Sequence, residues 1–196
     1  NMSNKDLSII IPSYNEKNNL RFLLKKSNKI LQRFKKIEII IVDNGSTDGS
    51  KDYLNSQKRK FPKVKILRVK KNIGYGYGIK CGLKKSKGNI VSWTHADLQF
   101  DLNDVVKFFH KNCNKIKSRK IIIKGLRQNR SFVDIFFTKS MAIIVNLLFR
   151  TKVYDINAQP KMFKKELIKN IFKFGPNNFS IDLFLLLLSS KNGFKI

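Results

Sequence analysis

The stretch Gly88-Asn-Ile-Val-Ser-Trp-Thr-His-Ala-Asp-Leu-Gln-Phe-Asp101 decides how this chain is read. Its first half, Ile90 to Thr94, is a short apolar run suited to a buried strand. Its second half crowds His95, Asp97, Gln99 and Asp101 into seven positions. Polar groups at the exit of a buried strand are costly to desolvate unless they bind something. Asp101 precedes an apolar helical pattern and reads as its N-cap. Asp97 and Gln99 then remain as two oxygen ligands, two positions apart in a loop, suited to Mg2+ or Mn2+. The competing reading is a polar turn that only leads into the helix.

Working outward, Leu7–Pro12 and Ile37–Val42 are continuous apolar runs, the pattern of strands buried on both faces. Val64–Val69 is mixed with lysine and reads as a strand nearer an edge. Lys120–Lys124 is expected to be a fifth strand. Between them lie helical patterns. Leu20, Leu23, Leu24 and Leu31 share one face of a helix for which Asn15 is the expected cap. A short helix is expected to end near Gln57, another to run from the Gly-rich Asn72–Gly78 through Ser86, and a third over Leu102–Lys111. Phe132–Phe149 reads as a long helix, and Lys164–Phe172 and Ser180–Ser190 as two more. Strands alternating with helices imply an α/β fold with a mostly parallel sheet, in a single domain over residues 1–196.

Ligands of such sheets bind beyond the carboxyl ends of the strands. Three strand exits carry side chains able to hold one. Tyr14, Asn15 and Glu16 follow the first strand, Asp43 ends the second, and His95, Asp97 and Gln99 follow the fourth. Tyr14 and Glu16 can stack on and hydrogen-bond a nucleoside, although a first-turn acid on a helix is also a favourable dipole partner. Asp43 can accept hydrogen bonds from a base or ribose, or can simply form the turn before Asn44-Gly45. Asp48 reads as a cap for the next helix. Asn72 is a candidate nucleotide contact. Gly74, Gly76, Gly78 and Gly82 do not form the G-x-G-x-x-G fingerprint and follow the third strand, so close helix packing explains them better. Lys124, Arg127 and Arg130 form a basic patch that either binds phosphate or is a solvated face.

With 41 Lys+Arg against 13 Asp+Glu, the net charge is +28. Lysines are spread along the whole chain, which favours compositional bias and a generally basic surface over a nucleic-acid footprint. No nucleic-acid partner is therefore expected. No apolar run reaches the ~18–20 residues needed to span a bilayer. Cys81 and Cys113 alone suit a reducing cytoplasm. Gly193-Phe-Lys-Ile196 looks like the start of a strand, so the chain is expected to continue past its C-terminus.

Leu7-Ser-Ile-Ile-Ile-Pro-Ser-Tyr-Asn-Glu16, Ile41-Val-Asp-Asn-Gly-Ser-Thr-Asp-Gly-Ser50 and His95-Ala-Asp-Leu-Gln99 together resemble family 2 glycosyltransferases with the GT-A fold. The Ala-Asp-Leu-Gln form is similar to that of polyprenyl-phosphate sugar transferases, the dolichyl-phosphate mannosyltransferase type. The resemblance implies an inverting transfer from a nucleotide-diphosphate sugar with Mg2+ or Mn2+. It implies nucleoside contacts for Pro12, Tyr14 and Glu16 and a base contact for Asp43. It places the metal and diphosphate motif on His95, Asp97 and Gln99, with His95 where an Asp is usual. An imidazole ligates Mn2+ more readily than Mg2+, so His95 either joins the metal or hydrogen-bonds the diphosphate. A second departure is at Asp155-Ile-Asn-Ala-Gln-Pro160, where Gln159 and Pro160 replace a usual Gly-Phe pair.

Two acceptors follow. A polyprenyl phosphate is already an anion, so no general base is needed; Asp97, through the metal, and Lys124 and Arg127 would be the catalytic residues, with Lys124, Arg127 and Arg130 orienting the acceptor. A sugar hydroxyl in surface-glycan synthesis requires a base, for which Asp134, Asp155 and Asp182 are candidates. A lipid acceptor would place the protein at the cytoplasmic face of a membrane, with the Phe132–Phe149 helix as a peripheral contact. Ordinary core packing is the other explanation of that helix. A catalytically silent member of the fold and a basic nucleic-acid-binding domain are the alternatives from other classes.

Overall fold

The structure, a computed structural model, describes residues 5–97, 101–126 and 131–196. Six strands form one sheet: β1 (Lys5–Ser13), β2 (Ile37–Asp43), β3 (Lys65–Arg68), β4 (Gly88–Trp93), β5 (Ile123–Lys124) and β6 (Lys161–Lys164). Their spatial order is β3-β2-β1-β4-β6-β5. The first four of these run parallel, whereas β6 is antiparallel to both β4 and β5. The expected α/β architecture with a mostly parallel sheet is the one found.

The isoleucine run of β1 shows why. Successive strand residues point to opposite faces. Ile9 and Ile11 join Ile39 and Ile41 on one face, against Leu20, Leu23 and Leu24 of α1 (Lys17–Arg33) and Val105 and Phe109 of α4 (Leu102–Ser118). Ile10 joins Ile40 and Val42 on the other, against Ile79 and Leu83 of α3 (Tyr75–Lys85) and Leu185 of α7 (Ile181–Lys191). Each such side chain contributes about 1.5–3 kcal/mol by leaving water. Helix α3 approaches the sheet closely at Gly82, where a Cβ would collide with Ile10. Two further helices complete the set that matters here: α2 (Ser50–Gln57) and α5 (Phe132–Phe149), followed after β6 by a 3-10 turn and α6 (Ile168–Phe174).

Several local expectations change. Asn15 does not cap α1; it sits at φ 56°, and its Oδ1 accepts from the Thr47 N–H at 2.9 Å. Asp48 does the capping from the neighbouring loop. Its Oδ2 accepts from Lys17 N at 2.9 Å and its Oδ1 from Ser50 N at 3.0 Å, so one carboxylate serves the first residues of both α1 and α2. Burial opposes its ionisation, but these hydrogen bonds prevail and hold the carboxyl below its ordinary range. Asp101 caps α4 as expected, accepting from Asn103 N at 2.7 Å.

Helix α4 continues past Lys111 to Ser118 because Ile116 extends its buried stripe. The expected fifth strand contracts to Ile123–Lys124, with an isolated parallel bridge from Ile121 to Lys195. The main surprise is β6. Residues 161–164 form a strand because pairing with β4 buries Met162 on one face and Phe163 on the other. Tertiary pairing makes a strand of a short stretch that precedes the expected helix and carries no strand signal of its own.

Candidate active site

Register sets the site. Ser13 pairs with Asp43, and Ile10 with Trp93, so β1, β2 and β4 end at one edge of the sheet. Antiparallel β6 starts there too, because Lys161 pairs with Trp93. Beyond this edge lies a cleft of about 370 Å3. Pro12, Tyr14 and Glu16 line one side, and His95 and Asp97 line another. Asn72 also lines it, its Oδ1 accepting from Gly74 N at 2.8 Å at the turn into α3. The structure thus brings together six of the residues singled out in the sequence.

Asp43 is placed differently. It is buried behind the wall, where its Oδ1 accepts from Ser46 N at 3.0 Å and its Oδ2 from Arg68 Nη1 at 3.1 Å. Asn44, its neighbour, is the residue that lines the cleft, donating from Nδ2 to Gly74 O at 3.0 Å. Asp43 here shapes the turn that presents Asn44. Lys124 also stands off the cleft wall: its Nζ donates to the Asp155 carbonyl at 3.1 Å and lies 4.2 Å from the Tyr154 ring centroid. Gln99, Arg127 and Arg130 lie outside the described residues, as does the side chain of Asp134.

Two features escaped the sequence reading. The first is a stack of three rings. Tyr75 lies between His95, at a centroid distance of 5.2 Å, and Phe179, at 4.7 Å. Burial lowers the pKa of His95; Lys161 adds to this, while Asp97 and Asp182 oppose it. Burial raises that of Tyr75 well above an ordinary phenol, with help from Asp182 and then Asp97.

The second is a buried ion pair behind the stack. Asp182 Oδ1 accepts from Lys161 Nζ at 2.7 Å, Trp93 Nε1 at 2.9 Å and Gln159 Nε2 at 3.1 Å. Lys161 Nζ also donates to Ala158 O at 3.1 Å. Four segments meet at this one oxygen: the end of β4, the loop before β6, β6 itself and the start of α7. Asp182, a candidate base in the sequence, is buried and paired with Lys161.

Asp97 and His95 are the described side chains that suit a metal. Among the described residues no three His, Cys, Asp or Glu side chains converge on one point. A Mg2+ or Mn2+ site of the kind that takes one or two protein ligands and completes its shell with phosphate oxygens fits this donor set. One carboxylate beside a half-buried imidazole, at the rim of a cleft with room for a diphosphate, meets that requirement.

Comparison with known proteins places this geometry in a family. The model of glycosyl transferase family 2 matches residues 8–172. A dolichol-phosphate mannosyltransferase of Pyrococcus furiosus is 29% identical over 187 residues, covering 92% of this chain and 52% of the relative. A dolichyl-phosphate beta-glucosyltransferase of Dictyostelium discoideum is 30% identical over 183 residues, covering 85% and 56%. The chain thus spans about half the length of the curated relatives it matches. Among solved structures, a mannosyltransferase of Pyrobaculum calidifontis in complex with GDP-Man and Mn2+ superposes with a TM-score of 0.59 at 19% identity, over 84% of this chain and 46% of that one. Glucosyl-3-phosphoglycerate synthase of Mycobacterium tuberculosis gives 0.62 at 15% identity, over 83% and 58%. These two share the fold. By sequence, over most of its length, the chain belongs to glycosyl transferase family 2.

Proposed function

We propose that this chain is the catalytic unit of an inverting glycosyltransferase that moves a sugar from a nucleotide-diphosphate sugar to a polyprenyl phosphate. The observation that carries the donor half is the cleft at the ends of β1 and β4, where Pro12, Tyr14 and Glu16 face Asp97 and His95 across a space suited to a nucleotide. The acceptor half is supported by relatives named for dolichyl-phosphate substrates, and by an undecaprenyl-phosphate 4-deoxy-4-formamido-L-arabinose transferase of Salmonella choleraesuis, 29% identical over 149 residues.

In this reading Tyr14 and Glu16 bind the nucleoside, with Asn72 and Asn44 behind it. Asp97, with His95 and Gln99, would hold Mg2+ or Mn2+, which when bound offsets charge on the departing diphosphate. The acceptor phosphate oxygen forms a bond to the anomeric carbon as the bond to the diphosphate oxygen breaks, and the nucleoside diphosphate leaves with the electron pair. The acceptor is already an anion, so no base is required. The burial of Asp182 in its ion pair agrees with that economy. Lys124, Arg127 and Arg130 are assigned to the acceptor phosphate.

No helix among the described residues is long and apolar enough to cross a membrane. Helix α5 nevertheless exposes a row of large apolar side chains, with Phe132 at 92% and Leu147 at 79% exposure. Together with the +28 charge, this supports peripheral contact with an anionic membrane surface at the cytoplasmic face.

The test is transfer from radiolabelled UDP- or GDP-sugars to a short-chain polyprenyl phosphate, with Mn2+ and with Mg2+. Label in a phosphate-linked lipid product is expected. Label transferred only to a glycan hydroxyl would reject the acceptor, and no nucleotide binding would reject the donor site.

A further inference from the structure

Tyr75 opens α3 with both faces of its ring covered. His95 lies against one face, with 29° between the ring planes, and Phe179 against the other, with 13°. Turning the Tyr75 side chain would break both stacks, so the ring holds one orientation. The segments that supply Tyr75 and Phe179 are also joined backbone to backbone. Tyr77 N donates to Asn177 O at 3.1 Å. Gly74 has φ 123°, and a Cβ there would meet the Asn177 carbonyl; a Cβ at Gly76 would meet the Pro176 carbonyl. Two glycines of the stretch entering α3 thus permit this junction. The Tyr75 hydroxyl, by contrast, is buried with no hydrogen-bond partner among the described residues. An unpaired buried hydroxyl is a cost, so the ring and not the oxygen is what this position uses.

A stack covers the face of an imidazole and leaves its rim open. Both nitrogens lie in that rim, where they ligate metal or form hydrogen bonds. His95 is half-buried at the cleft wall. The second side-chain torsion of a histidine is soft, so an imidazole without a neighbour to hold it would swing its nitrogens through a wide arc. We propose that Tyr75, backed by Phe179, is a positioning residue for His95, fixing the plane in which the imidazole meets the metal and diphosphate of a bound donor. The proposal rests on the reading of Asp97 and His95 given above. Metal-binding histidines are commonly oriented by a hydrogen bond to the second nitrogen. Here a ring face performs that task without occupying either nitrogen. Phe179 is 68% exposed, so its removal tests the stack with little disturbance of the core.

Calorimetry with Mn2+ and the tighter-binding of UDP and GDP would compare wild type, Tyr75→Phe, Tyr75→Leu and Phe179→Ala, each with and without His95→Ala. Tyr75→Phe keeps the ring and is expected to bind within about twofold of wild type. Tyr75→Leu removes the stack and should bind roughly tenfold more weakly, as when a metal ligand loses its orienting partner. Phe179→Ala should lose less than Tyr75→Leu, since His95 keeps its direct neighbour. In the His95→Ala background none of the three should lose more than about twofold further, because the residue they act through is gone. Equal losses in both backgrounds would overturn the proposal, as would full binding by Tyr75→Leu, or Tyr75→Phe as weak as Tyr75→Leu. If Tyr75→Leu does not fold, Phe179→Ala carries the same comparison. A second readout needs no metal. The chain has two histidines, and the His95 ring protons should keep their ring-current shift in Tyr75→Phe and lose it in Tyr75→Leu; unmoved signals in Tyr75→Leu would overturn the stack itself. His95→Ala that binds as wild type does would overturn the reading of His95, a separate failure recognised from that single variant alone.

Discussion

Lys161 and Asp182 face each other at 2.7 Å in the interior, with side-chain exposures of 0% and 4%. Buried ion pairs rarely stabilise a protein relative to a well-packed apolar replacement, but leaving one partner alone is costly. Lys161→Met should therefore destabilise the fold by about 3–5 kcal/mol, and Asp182→Leu in addition should recover much of that loss. Urea denaturation of the two single variants and the double variant measures this. Additive losses would mean that the two residues act independently.

Asp97→Ala should abolish the metal-dependent part of nucleoside diphosphate binding while leaving the melting temperature nearly unchanged, because Asp97 is a half-exposed loop residue at the cleft. Titration calorimetry with and without Mn2+ checks it, and unchanged affinity would remove Asp97 from the site. In parallel, His95→Asp should shift metal preference toward Mg2+, since carboxylate is the harder ligand. A folded His95→Asp protein whose metal preference equals that of wild type would show that His95 does not reach the metal.

Glu38 lies near the start of β2, away from the cleft, and is one of the carboxylates expected to contribute to acid stability. Burial pushes its pKa up, but hydrogen bonds from Lys65, Ser8 and the Lys87 N–H outweigh that and hold it below its reference value of 4.5. A lowered folded-state pKa gives stability that is present in full above the unfolded value and lost as pH falls through the folded one. Wild type should thus lose stability below about pH 4.5, and Glu38→Gln, about 1–3 kcal/mol less stable at neutral pH, should lose less on acidification. Denaturation midpoints between about pH 3 and 7 decide the matter.

Phe136 and Phe137 on α5 are each 67% exposed, on the same helix as Phe132. Replacing both by serine should weaken sedimentation with phosphatidylserine vesicles at least about tenfold, with little effect on nucleoside diphosphate binding. Binding should also fall as salt is raised, given the basic surface. Unaltered vesicle binding by the double variant would assign this face to another role.

How much of this was legible in the sequence differs by element. The strands β1, β2 and β4 announce themselves because a sheet buried on both faces demands unbroken apolar runs. Strand β6 does not. Two of its four residues are lysines, and Lys161 looks like any other of 41 cations until the fold buries it. Pro12, Tyr14, Glu16, His95 and Asp97 could be found because each ends or closely follows a recognisable strand. Tyr75 and Phe179 could not, since they lie far apart in the chain and meet only when α3 and the segment before α7 converge. Asp43 ends a recognisable strand as well, but its pairing with Arg68 from the next strand was not legible, because the two residues meet only when β2 and β3 align.

The reversed direction of β6 divides the chain into two workshops. Everything assigned to the nucleoside, and the described residues assigned to the metal, precede residue 98. The basic and apolar groups assigned to the acceptor follow residue 120, beginning at Lys124, where β5 ends beside Lys161 and Trp93 at the same edge. A chimera that keeps the first segment and borrows the second from a relative should thus inherit its donor nucleotide from one parent and its acceptor from the other. The seam between them runs through a single stack of rings, His95 and Tyr75 from the front and Phe179 from the back.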